Sequence, residues 1–141
     1  MSESNIDLFD QITGLVFSKL YLSFPVSIAI DSMDFIDAIP DEIDRPGEFF
    51  AETVEWLIES GYVVTRGKTD LPYTFLNCTL TAKALEILKA IPKSVGGESL
   101  GGQIATAAKE GATAKLKELV GEALSKGVGI AISAAANIAI M

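Results

Sequence analysis

The chain has 141 residues, of which 49% are hydrophobic and 21% charged, a globular balance and enough for one domain, or a small domain with an appendage. Its net charge of -8 discourages non-specific contact with nucleic acid or anionic lipid. A single cysteine excludes an internal disulfide, and the absence of histidine removes the commonest general base and a leading metal ligand.

The charge is unevenly placed. Residues 1–60 hold 13 acidic and 2 basic side chains, whereas residues 61–93 hold 5 basic and 2 acidic ones. The run from Ser2 to Asp10 is polar and acidic, without the basic and apolar regions of a signal peptide, so a cytoplasmic protein is expected.

Ser4 followed by Asp7 marks a helix start. From Ile6, apolar residues recur at Phe9, Thr13, Val16 and Leu20, and Leu8, Ile12, Leu15 and Leu22 broaden that face, so this helix is expected to be buried on much of its circumference. Pro25 stops it, and Val26 to Ile30 alternates toward a short strand. Asp31 or Ser32 is placed to cap a short helix that ends before Pro40.

An acidic turn, Asp41 to Gly47, leads into a helix with Asp44 as its expected N-cap and Pro46 in its first turn. Phe50, Val54, Leu57 and Ile58 point inward, with Phe49, Thr53 and Trp56 beside them, and Gly61 suits the position just past the C-terminus. Glu48, Glu52, Glu55 and Glu59 fall on one face of this helix.

Tyr62 to Thr65 and Tyr73 to Leu80 read as two strands of a hairpin around a turn-rich loop, Arg66 to Pro72. Thr81 caps a further helix with Leu85, Leu88 and Ile91 inward and Lys83, Glu86, Lys89 and Lys93 outward. Residues 94–102 read as a Gly- and Ser-containing linker, and 103–141 as a helical tail with Ile104, Ala107, Gly111, Leu119, Ala123 and Leu124 on a narrow apolar stripe. Gly127 to Met141 carries no charge, and Ala131, Ala135 and Ala139 are spaced for close helix contact and self-association. Its 15 residues fall short of the roughly 20 that span a bilayer, so self-association is expected ahead of membrane insertion.

The order helix, strand, helix, helix, hairpin, helix across residues 5–93 resembles the winged-helix superfamily. "LIESGYVVT" (Leu57 to Thr65) is similar to the turn into the wing, and "CTLTAKALEIL" (Cys78 to Leu88) to the second wing strand entering the closing helix. Lys83 and Ala84 stand where that pattern usually has a glycine. The resemblance implies an α+β winged-helix-like domain with a helical tail behind it. It also implies that the helix bearing the four glutamates is the one that would enter a DNA groove, where a row of carboxylates is repelled by phosphate.

Gly61 to Thr69 nearly spells a phosphate-binding loop, but five residues separate Gly61 from Gly67 instead of four, and a β-rich run follows in place of a helix. Cys78 lies in a strand with no activating base evident, so neither catalysis nor a cofactor is expected. Four glutamates on a straight helix splay outward and do not converge on one ion, so no metal is expected either. They read as a solvated face or as a docking surface for a basic partner. The leading expectation is a self-associating protein-interaction module that presents this face. Its rivals are a DNA-binding regulator touching the phosphate backbone through Arg66, Lys68 and Lys83, and a protein held to a membrane by its apolar tail.

Overall fold

The computed structural model describes residues 4–67, 71–90 and 97–140, with side chains as far as residue 129 in the last helix. Helix α1 (Asn5–Ser23) opens where the sequence places it, with the Ser4 hydroxyl accepting from the Asp7 N–H at 3.1 Å. It buries Leu8, Ile12, Val16, Phe17 and Leu20, because other elements pack on both of its sides. Leu22, expected on this face, is instead 71% exposed in the last turn.

Strand β1 (Ile28–Asp31) hands over to two 3-10 turns, Ser32–Asp34 and Ile36–Ala38, in place of the expected short helix. The segment between its cap at Asp31 and Pro40 is too short to recover the cost of nucleating an α-helix. Phe35, between the two turns, stacks on Phe50 with ring centroids 5.0 Å apart. Helix α2 (Pro46–Glu59) follows. Its N-cap is Arg45, with no side-chain capping bond, and not Asp44 as expected. Proline takes the first helical position, so the cap falls on the residue directly before it. Gly61, at φ +84°, turns the chain out of α2.

Strands β2 (Val63–Thr65) and β3 (Thr74–Leu80) pair antiparallel, with Val63 opposite Leu80 and Thr65 opposite Cys78. Strand β1 lies antiparallel on the other side of β3, giving a three-stranded sheet in the order β1-β3-β2. Thr81 caps helix α3 (Ala82–Lys89), accepting from the Ala84 N–H at 3.1 Å. Its buried face is Ala84, Ile87 and Leu88. Leu85 is half-buried, and Ile91 lies outside the described residues.

The segment expected as a linker over 94–102 ends in helix: α4 (Leu100–Glu110) begins at a Ser99 cap, and Leu100 is fully buried. A leucine among glycines and serines gave the segment an apolar anchor that its composition obscured. Gly111, expected on the apolar stripe, adopts φ +68° at the C-terminus of α4, so the C-terminal segment is two helices, α4 and α5 (Thr113–Ile140). Ile104 and Ala107 of α4 and Leu116, Leu119 and Ala123 of α5 belong to the same hydrophobic cluster as the α1 face. Close approach depends on Gly14 of α1, where a Cβ would lie 2.6 Å from the Leu116 side chain. The protein is thus α+β, with five helices and one small antiparallel sheet among the described residues. No helix among them is long and apolar enough to cross a membrane.

Candidate functional site: an acid-rimmed apolar groove

The four glutamates of α2 do share one solvent-facing side. Glu52, Glu55 and Glu59 are exposed and Glu48 is half-buried. Glu48 is paired with Arg45 over 2.9 Å, one helical turn away, an exposed pair worth a few tenths of a kcal/mol, about 0.3–0.5. No ion pair holds Glu52, Glu55 or Glu59 among the described residues. Their alignment follows from the helical period alone.

What lies beside them does not. The first turns of α1 run next to α2 and the acidic turn before it, leaving a groove of about 860 Å³. Ile6 and Phe9 supply one wall, and Ile43, Phe49 and Trp56 supply apolar surface on the other side. Phe9 meets Trp56 edge to face, with centroids 5.2 Å apart. Ile6 is 70% exposed and Trp56 43%, large apolar side chains left in water. Carboxylates of Glu42, Asp44, Glu48 and Glu52 line the same groove, with Arg45 the one cation among the lining residues. Since Arg45 is engaged by Glu48, the remaining charge is negative. Glu55 and Glu59 are not part of this lining and continue the acidic row along α2.

Trp56, expected as core, is therefore a groove residue, Phe49 packs against the core as expected while also lining the groove, and Ile6 and Phe9, expected on the buried face of α1, line it too. Their signal in the sequence is the surplus of apolar positions on α1: Ile6 and Phe9 continue the apolar circumference beyond what one packed face requires. From Trp56 an aromatic chain leads inward. Trp56 stacks on Tyr62 at 6.1 Å, and Tyr62 carries the Lys83 ammonium 4.2 Å above its ring.

Of the basic set Arg66, Lys68 and Lys83, Arg66 and Lys83 are among the described residues. Lys83, expected outward and free for phosphate, donates to the Ser60 carbonyl at 2.8 Å and is half-buried. The tight turn at Gly61 brings the end of α2 within reach of the first turn of α3, and an orphan carbonyl at a helix C-terminus attracts a cation. Arg66 is exposed where β2 ends, its carbonyl accepting from the Asn77 side-chain amide at 2.7 Å. Lys68 and Lys93 lie outside the described residues, as does the end of the near-P-loop. Ala131, Ala135 and Ala139 fall within α5, but their side chains are outside the described set.

Cys78 is fully buried in β3, and burial pushes its thiol above the usual range, holding it protonated. Among the described residues no three metal-ligating side chains come together.

No protein-family model matches the chain, and no curated protein or solved structure is similar enough to it to count as a match.

Proposed function

We propose that this chain is a non-enzymatic protein-interaction module that presents the acidic face of α2 to a basic protein partner. The observation that carries the reading is the company the glutamates keep. Uncompensated carboxylates stand next to a partly exposed tryptophan and an exposed isoleucine. Scattered surface charge has no such neighbours, whereas an interface combines aromatic anchors with complementary charge at its rim.

The element order from α1 to α3 supports the winged-helix resemblance, with the 3-10 turns standing where a second helix was expected. In that arrangement α2 is the element that would meet a DNA groove, and its charge supports a protein partner over phosphate. The engagement of Lys83 by Ser60 weighs further against a basic-wing contact with DNA. Self-association through the Ala131, Ala135 and Ala139 face and a cytoplasmic setting complete the reading.

The test is recovery of the partner from the cell by the wild-type chain and by the double variant Glu52→Lys, Glu55→Lys. Both residues are exposed, so the melting temperature is expected to stay put while recovery is lost. Undiminished recovery with both charges reversed rejects the reading.

A further inference from the structure

The groove also carries information about the shape of what fills it. Its α2 side runs from Arg45 to Trp56, about 16 Å at the rise of an α-helix, or three turns. Its walls are helices α1 and α2 with the short turn Glu42 to Arg45 at one end, and no strand of the sheet lines it, so an extended peptide would find no sheet edge to pair with. A helix satisfies its own backbone and needs only side-chain contacts. Ile6, Phe9 and Trp56 form an apolar strip for such contacts, and Glu42, Asp44 and Glu52 border it with charge that Arg45 does not neutralise. The same carboxylates repel anionic lipid and nucleic acid, the two other surfaces that take an exposed tryptophan.

We infer that this groove takes an amphipathic helix of about three turns from another protein, with an apolar stripe seated on Ile6, Phe9 and Trp56 and lysines or arginines facing Glu42, Asp44 and Glu52. The inference rests on the interaction-module reading and specifies its partner. The occupant's stripe covers Trp56, and its basic flanks set orientation and contribute mainly to the rate of encounter.

Trp56 is the one tryptophan of the chain, so its emission reports on the groove directly. The probe is a synthetic helix-forming peptide of about 15 residues, long enough to be recruited into a helix, with leucines at i, i+3, i+4 and i+7 and lysines elsewhere. A scrambled peptide of identical composition has no stripe, and a third carries glutamate for lysine. The expected result is a saturable blue shift of Trp56 with the first peptide alone. Ile6→Glu and Glu52→Lys should each weaken that binding about tenfold or more. Both side chains are exposed, so both variants should melt as the wild type does. A scrambled peptide that binds as tightly overturns the helix-in-groove inference while leaving a basic partner for the acidic face. Silence toward every basic peptide overturns both. An emission shift that follows protein concentration without peptide assigns the groove to a second copy and overturns the inference as well.

Discussion

Lys83 donates a hydrogen bond of 2.8 Å to the carbonyl of Ser60, tying the first turn of α3 to the end of α2. The ammonium also lies 4.2 Å above the Tyr62 ring, which in turn stacks on Trp56. One lysine thereby supports the backbone turn and the aromatic residues behind the groove.

Replacing it tests this role. Lys83→Met keeps the stem and removes the charge, so it loses the bond to Ser60 and the cation–π contact together. The expected cost is about 1 kcal/mol, reduced from the buried limit because the site is half exposed. Thermal unfolding should shift down by roughly 2–6 °C, and Trp56 emission should change in the folded state. A melting temperature at or above that of the wild type would show Lys83 to be the free surface cation that its position in the sequence suggests.

Asp31 supplies the pH prediction. Its carboxylate accepts from the Thr74 hydroxyl at 2.6 Å and from the Met33 N–H at 2.9 Å, and these bonds, the Thr74 bond foremost, hold its pKa below the ordinary value. With a folded-state pKa lowered in this way, its contribution is complete above the unfolded-state value of about 3.9 and is lost as pH falls through the lowered folded value. Asp31→Ala should therefore melt a few degrees below the wild type at neutral pH, with the gap closing in acid below that point. A gap that stays constant through the acid range would contradict the assignment.

Truncation separates the two roles of the C-terminal segment. Ending the chain after Gly102 removes Ile104, Leu116, Leu119 and Val120, all buried. At about 2–5 kcal/mol for each large side chain lost, the total of about 8–20 kcal/mol matches the roughly 5–15 kcal/mol of a whole domain, so this variant should be unfolded by circular dichroism. Ending after Gly129 keeps every described core residue and removes Ala131, Ala135 and Ala139. That variant should remain folded and, if those alanines hold copies together, sediment as a monomer beside an oligomeric full-length chain. Identical sedimentation of the two would remove the self-association proposal.

Local chemistry was legible in the sequence. Ser4, Asp31 and Thr81 cap where short polar side chains before a helical turn are expected to, and Gly61 ends α2 with positive φ. The two strands of the hairpin and the row Glu48, Glu52, Glu55, Glu59 follow from periods of two and 3.6 residues, which neighbouring positions carry by themselves. Where a local signal misled, a stronger neighbour prevailed, as Pro46 did over Asp44 in choosing the cap.

Only the tertiary structure decided which helix faces meet. Leu100 reads as part of a linker until it is seen buried in the cluster that holds α1, α4 and α5 together. Gly14 carries no local sign of its role, and the Leu116 side chain lies where a Cβ there would be. The groove between Ile6 and Trp56 joins residues fifty positions apart, and Lys83 turns inward to a carbonyl twenty-three residues away. Periodicity fixes which side chains share a face of one element; the pairing of faces from different elements is set by shape and by buried area summed over the whole chain, and no local stretch of sequence contains that sum.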